Sequence, residues 1–239
     1  MKYISTLLLF VSLAVFAHDK NEQLKITQLS DNVYQHISYK EVGSWGMVAA
    51  SGLIVVDGIN AHIIDTPWTQ ADTEKLVSWI KSKNLIVKSS VVTHFHADAS
   101  GGISYLNNQQ IKTYATSLTN KLLSQKNKEE ASDDIPNDTF ELVKDTIEVF
   151  YPGGGHTQDN IVVWLPKQEI LFGGCFVKSM NSKHLGNMED AIVKDWPQSI
   201  QNVLKKYPNI KIVVPGHGKL GNVSLLKHTA ELALALKEY

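Results

Sequence analysis

Twice in this chain the same order of signals runs to a histidine, and that repetition restricts the fold more than any other feature. In the first pass, Gly52-Leu-Ile-Val-Val-Asp-Gly-Ile-Asn-Ala-His-Ile-Ile-Asp-Thr-Pro67 is a pair of apolar runs around Asp57-Gly58, a strong hairpin signal. Leu76, Val77, Trp79 and Ile80 then recur at helical spacing within residues 72–83. Lys88-Ser-Ser-Val-Val-Thr-His94 follows as a strand ending in histidine. In the second pass, residues 160–175 are again an apolar hairpin. Asp195 is placed to cap a helix that carries Pro197 in its first turn and runs to Tyr207. Lys211-Ile-Val-Val-Pro-Gly-His217 closes the pass as a strand ending in His217. Two copies are too few for a solenoid. They fit two β-sheets packed face to face with helices outside, one sheet from each half: an α/β, four-layer αβ/βα sandwich. Residues 24–39 read as two further strands, 141–151 as a strand pair and 224–237 as an amphipathic helix, and no linker divides the chain.

Four apolar strands run into metal-type ligands: Val91-Val-Thr-His94-Phe-His96-Ala-Asp98, Val149-Phe-Tyr-Pro-Gly-Gly-Gly-His156, Leu171-Phe-Gly-Gly-Cys175 and Val213-Val-Pro-Gly-His217. Loops at one edge of a rigid sheet are where sites are built, and glycines there let the backbone turn and approach a ligand. In an extended segment alternate side chains share a face, so His94, His96 and Asp98 can converge; a turn starting at His94 would change which of them do. Imidazole suits zinc, and a neighbouring carboxylate can hold a second ion or orient a water. Two loop histidines and a helix-capping Asp98 would be the bland reading, but three more strand-end ligands argue against it. A catalytic zinc needs three protein ligands and an open position, so six candidates favour two metals over one closed structural site. A thiolate among nitrogen and oxygen ligands points to zinc rather than magnesium or calcium.

Composition narrows the ligand chemistry. A net charge of −1 argues against a binder of nucleic acid that relies on bulk positive charge. All 23 basic residues are Lys, so an anionic ligand must be met by ammonium point charges, backbone N–H groups, neutral donors or a metal. Cys175 is the single cysteine, which rules out an intrachain disulfide, and either burial or metal ligation would account for it in an oxidising compartment. Lys2 followed by an apolar run ending in Val15-Phe-Ala17 reads as a cleaved signal peptide over residues 1–17, leaving a domain over 18–239. No cysteine near that cut suggests a lipid anchor, and no other segment is apolar enough to cross a membrane. The expected product is a soluble, periplasmic monomer that binds a small molecule.

These residues carry a resemblance. Ile64-Asp-Thr-Pro67, Thr93-His-Phe-His-Ala-Asp98, Pro152-Gly-Gly-Gly-His-Thr157 and Pro215-Gly-His217 resemble the motifs of the metallo-β-lactamase superfamily. Residues 147–156, Val162-Val-Trp-Leu-Pro166, residues 171–178 and Leu185-Gly-Asn187 narrow the likeness to class B β-lactamases of the first subclass, the imipenemase-like group. The resemblance covers nearly all of the chain after residue 17. It implies zinc-dependent opening of the β-lactam amide in penicillins, cephalosporins and carbapenems, and so antibiotic resistance. It implies that His94, His96 and His156 hold one Zn2+ and that Asp98, Cys175 and His217 hold a second. It further implies that Lys178 binds the substrate carboxylate, that Asn187 sits near the lactam carbonyl, that Asp65 supports the first histidines, and that Trp45 tips a flap over the groove. Asp98 and Asn187 are the residues expected to act in the chemistry.

Ala99 departs from the pattern, because relatives of this subclass often carry Ser, Cys or Arg after the metal-binding Asp. The stretch 179–184 also looks longer than in that pattern. Rival readings are another hydrolase of the superfamily acting on thioesters or lactones, a cysteine hydrolase with Cys175 as nucleophile, and a non-enzymatic periplasmic zinc-binding protein. Ala99 and Cys175 disfavour the glyoxalase-type thioester hydrolase, which places His after the metal-binding Asp. A Cys175 nucleophile leaves five other ligands idle. His18, His36, His62, His184 and His228 have no partner in sequence and read as surface or core residues, with His184 on a loop that borders the groove.

Overall fold

Strand alternation sets the layers. A computed structural model describes residues 24–136 and 138–236; the expected signal segment and His18 lie outside the described residues. The first half forms one seven-stranded sheet, in chain order, from β1 (Lys25–Ser30), β2 (Val33–Glu41), β3 (Met47–Asp57), β4 (Asn60–Ile64), β5 (Ile86–Val91), β6 (Lys112–Thr116) and β7 (Asp133–Ile135). β1 to β4 are antiparallel. β4 to β7 are parallel, with α1 (Gln70–Ser82), α2 (Ala97–Ser100), α3 (Ile103–Asn108) and α4 (Ser117–Gln125) in the connections. The second half contains β8 (Thr139–Val143), β9 (Ile147–Phe150), β10 (Val162–Leu165), β11 (Ile170–Gly174), α5 (Trp196–Lys206), β12 (Ile212–Pro215) and α6 (Ser224–Ala235), and its sheet has the order β12-β11-β10-β9-β8. The expected repetition is real: α1 joins parallel β4 and β5 as α5 joins parallel β11 and β12.

Successive side chains of a strand point to opposite faces, and here both faces are apolar. Leu53, Val55, Ile64 and Val91 meet Val163, Leu165, Ile170, Phe172 and Val214 between the sheets. The alternate residues face outward. Ile54, Ala61 and Ile63 pack on Leu76, Val77 and Ile80 of α1. Val162, Trp164, Leu171 and Val213 pack on Trp196, Ile200 and Val203 of α5 and Leu225 and Leu226 of α6. Each fully buried aliphatic side chain contributes about 1.5–3 kcal/mol, and the central strands β3, β4, β10 and β11 make such contacts on both faces.

Helix ends show where the sequence reading needs correction. α1 starts at Gln70, before the expected residue 72, because Thr69 caps it: its Oγ1 accepts from the Asp72 N–H at 3.1 Å and donates to the Asp72 carboxylate at 3.1 Å. Asp195 does precede α5, but its side chain makes no capping bond; its backbone is already helical, and its carbonyl accepts from Ser199 N at 2.9 Å. Pro197 does sit in the first turn, and Lys205 and Lys206 lie at the negative end of the helix dipole. Among the described residues, no helix is long and apolar enough to cross a membrane.

Candidate metal centre

All six candidate ligands leave the sandwich at one edge. The convergence of the first three does not come from strand alternation. β5 stops at Val91, the chain bends, His96 precedes α2, and Asp98 lies within that short helix. Phe95 points the other way into a cluster with Val92, Ile103, Ala115 and Leu123, and its N–H donates to Asp159 at 3.0 Å. The glycine loop carrying His156 is braced from α5: Ser199 Oγ donates to the Gly154 carbonyl at 2.7 Å and Asn202 Nδ2 to the Pro152 carbonyl at 2.9 Å. Cys175 and His217 follow the neighbouring parallel strands β11 and β12. Glycine permits that approach: Gly174 has φ +52°, and a Cβ on Gly216 would lie 2.6 Å from Cys175 Sγ.

The six form one cluster. His96 Nδ1 is 3.2 Å from His156 Nε2, and the His94 ring centroid lies 4.9 Å and 5.1 Å from those of His96 and His156. Cys175 Sγ is 3.0 Å from Asp98 Oδ2 and 3.2 Å from His217 Nε2, which is itself 3.1 Å from Asp98 Oδ2. Three overlapping sets bring their ligand atoms within 4.8 Å of one another: His94, His96 and Asp98; His94, His156 and Cys175; and Asp98, Cys175 and His217.

Surrounding groups fix how each ring is presented. Asp65 holds a left-handed backbone, φ +53°, at the end of β4, and its carboxylate accepts from Thr93 N at 2.6 Å and Thr93 Oγ1 at 2.8 Å. Its carbonyl meets His36 Nε2 at 3.0 Å. Burial pushes the Asp65 carboxyl up to about 8; in its ionised form it takes the Thr93 hydroxyl proton, and that hydroxyl then accepts from His94 Nδ1, 3.2 Å away. His94 Nε2 is then a bare lone pair, buried and without a hydrogen-bond partner among the described residues. His217 Nδ1 meets the Ala49 carbonyl at 2.6 Å, which turns Nε2 toward Asp98. His96 Nε2 meets the Asp190 carboxylate at 2.9 Å, which leaves Nδ1 facing His156.

Electrostatics fit a cation. Burial pushes His94 down to about 3 and His156 well below the usual histidine range, so both rings are neutral donors of lone pairs. Burial also acts to raise Asp98, but the contact with the His217 ring and the hydrogen bond from the Cys175 thiol help to hold it well below the usual carboxylate range. Burial and the Asp98 charge push the Cys175 thiol far up, so the thiolate needs a positive neighbour to exist. An orphaned imidazole nitrogen, an ionised carboxylate and a thiol that must lose its proton are what a soft divalent ion such as zinc satisfies.

His96, Asp98, His156 and His217 form the floor of a cavity of about 570 Å³, which Lys178, Asn187 and Trp45 also line. Lys178 is 9% exposed; its Nζ donates to the Cys175 carbonyl at 2.9 Å and lies 5.2 Å from the centre of the Trp196 ring. Burial lowers its pKa. Asn187 is exposed on the rim, and its Oδ1 accepts from Glu189 N at 3.2 Å. Trp45 ends a single 3-10 turn, Gly43–Trp45, and is exposed. Ala99 is fully buried, its carbonyl accepting from Thr66 N and Oγ1, and its side chain does not line the cavity. Reading the sequence missed Asp190, which no spacing links to His96, and the bracing role of Ser199 and Asn202. It read His184 as a surface or core residue bordering the groove, and His184 lines the cavity.

Comparison with known proteins agrees with this geometry. The sequence profile of the Metallo-beta-lactamase superfamily matches residues 51–217. A Pseudomonas aeruginosa protein named Metallo-beta-lactamase type 2 is 48% identical over 216 residues, 90% of this chain and 87% of that protein. The crystal structure of VMB-1 at pH 5.5 is 60% identical with a TM-score of 0.89, covering 90% of this chain and 98% of that one. The metallo-beta-lactamase FIM-1 from Pseudomonas aeruginosa, crystallised in a mono-zinc form, is 32% identical with a TM-score of 0.86, covering 90% and 96%.

Proposed function

Because this chain belongs to the metallo-beta-lactamase superfamily, we propose that it is a zinc-dependent β-lactamase that hydrolyses the lactam amide of penicillins, cephalosporins and carbapenems, and so confers antibiotic resistance. The observation that carries the reading is the pairing of the ligand cluster with a buried, carboxylate-free Lys178 in one cavity. His94, His96 and His156 would hold one Zn2+, and Asp98, Cys175 and His217 a second. Bound zinc supplies Lewis-acid polarisation and a water acidic enough to lose its proton near neutral pH.

This chain's own residues do the rest. Among the described residues the Lys178 ammonium has one hydrogen-bond partner, a backbone carbonyl, so a substrate carboxylate completes its shell and sets the lactam above the cluster. Asn187 swings from its own loop to donate to the lactam carbonyl oxygen as charge develops there. Asp98 accepts a hydrogen bond from the attacking water and aligns it. The apolar wall of Val42, Val48 and Trp68 excludes bulk water and holds the rest of the substrate. Residues 1–17 are a signal peptide, the domain spans 18–239, and the enzyme works in the periplasm as a monomer.

The test is turnover of a carbapenem and a chromogenic cephalosporin with and without EDTA. Turnover abolished by EDTA and restored by zinc is expected, with two zinc ions per chain by elemental analysis. Metal binding without turnover would leave a zinc-binding protein, and turnover that resists EDTA but not a thiol reagent would point to Cys175 as nucleophile.

A further inference from the structure

Two aromatic rings meet across the mouth of the groove. Trp45 comes from the turn between β2 and β3, and His184 from the loop between Cys175 and α5; their ring centroids are 6.0 Å apart at 53°. That lies in the range where tilted ring pairs attract. Both rings line the same cavity as His96, Asp98 and His217, so the contact spans the space above the ligand cluster.

The two sides are anchored differently. The Trp45 turn closes on itself, with Val42 N donating to the Gly46 carbonyl at 2.8 Å and Trp45 N to the Val42 carbonyl at 2.9 Å. Gly43 and Gly46 have φ of +45° and +68°, and a Cβ on either would meet nothing within 4 Å. Glycine is needed there for the turn and not for packing, so the tip is held by little outside itself. Among the described residues, the one ring contact of Trp45 is with His184. His184 is tied to its own loop, its Nδ1 accepting from Gly186 N at 3.0 Å. Trp45 is 57% exposed, an unusual cost for an indole whose only role is packing.

We propose that Trp45 and His184 form a two-part clasp, and that His184 determines specificity by holding the planar side chain of a substrate against Trp45. The proposal rests on the β-lactamase reading. A flat aryl group offers both rings a face or an edge, whereas a small aliphatic substituent reaches neither. His184 thus selects for lactams with aromatic acyl side chains without touching the reacting atoms.

The test compares a phenylacetyl penicillin with a carbapenem bearing a hydroxyethyl group. His184→Ala should raise KM for the penicillin roughly 2- to 10-fold, the range of an aromatic pair contact, and change KM for the carbapenem and both kcat values less than about twofold. Adding His184→Ala to Trp45→Ala should cost nothing further for the penicillin, since the partner ring is already gone. A second readout needs no substrate: acrylamide quenching of the Trp45 emission, taken as the difference from a Trp45→Phe counterpart, should increase in His184→Ala. Equal KM changes for the two substrates, or additive effects of the two substitutions, overturn the selection; unaltered quenching overturns the contact. A parent enzyme that opens neither lactam refutes the β-lactamase reading, whereas a parent that opens both while His184→Ala matches it refutes the clasp alone.

Discussion

Removing the Asp190 carboxylate should weaken metal binding about tenfold while leaving the fold intact. Asp190 Oδ2 accepts from His96 Nε2 at 2.9 Å, which keeps the proton on Nε2 and the lone pair on Nδ1, the nitrogen that faces His156. Without that partner the ring can turn, and either nitrogen can carry the proton. Partners of this kind are worth roughly 10–100-fold in metal affinity. The lower end applies here, because the side chains of His96 and Asp190 are 20% and 32% exposed and water both screens and partly replaces the bond. Tenfold corresponds to about 1.4 kcal/mol. The assay is competition for zinc against a chromophoric chelator, with parent, Asp190→Ala and Asp190→Asn side by side. Asp190→Asn should recover part of the loss, since its carbonyl oxygen still accepts. Circular dichroism of the loaded proteins should be indistinguishable. If Asp190→Ala binds zinc as tightly as the parent, the tautomer argument is wrong; if both variants unfold, Asp190 supports the fold and not the ligand.

Three further outcomes follow from the same geometry. Lys178→Ala should raise KM roughly tenfold or more for lactams bearing a carboxylate, since a hydrogen bond to a charged group is worth about 1.5–3 kcal/mol, with a smaller change in kcat; steady-state kinetics on several substrates checks it. On the proposed filling by two zinc ions, Cys175→Ala should lower bound zinc by one ion per chain after dialysis, because the thiolate is lost from the set with Asp98 and His217, and elemental analysis reads it directly. His36 is fully enclosed, and burial pushes its pKa from 6.5 down to about 4 while the Asp65 and Ile64 backbone acts the other way. Above about pH 6.5 neither the folded nor the unfolded state binds that proton, so its contribution to stability is complete. As pH falls toward 4 the unfolded chain takes up a proton the folded state refuses, and about 3 kcal/mol is lost. Urea unfolding of the zinc-loaded parent and His36→Gln between pH 8 and 4.5 should show a flatter profile for the variant; parallel profiles would remove His36 from the acid sensitivity.

Much of the fold was legible because its signals are local. Leu53, Ile54 and Val55 alternate between two apolar faces, and a strand apolar on both faces has to be covered twice, which already requires four layers. Asp57-Gly58 marked the β3–β4 hairpin, where Gly58 has φ +61°. Helix starts were less legible. Asp195 was expected to cap and does not, whereas Thr69 caps without having been expected to; the difference lies in the backbone angles, extended at Thr69 and already helical at Asp195.

For the site, the six ligand identities came from the sequence, because imidazole, thiolate and carboxylate at glycine-marked strand ends have a narrow range of chemical uses. The way they converge did not. Alternation allowed His94, His96 and Asp98 to share a strand face and left a turn at His94 open; a bend and one turn of helix bring them together. Asp190, His184 and the Ala49 carbonyl reach the cluster or its mouth through space from segments far apart in the chain, and no periodicity encodes such a meeting. The sequence by itself determined which atoms can bind a metal, because that is a property of each side chain. Only the tertiary structure decided which nitrogen of each ring is offered, which lysine is buried without a carboxylate, and what stands over the groove. Those are properties of neighbours, and neighbours are set by how the two sheets pack.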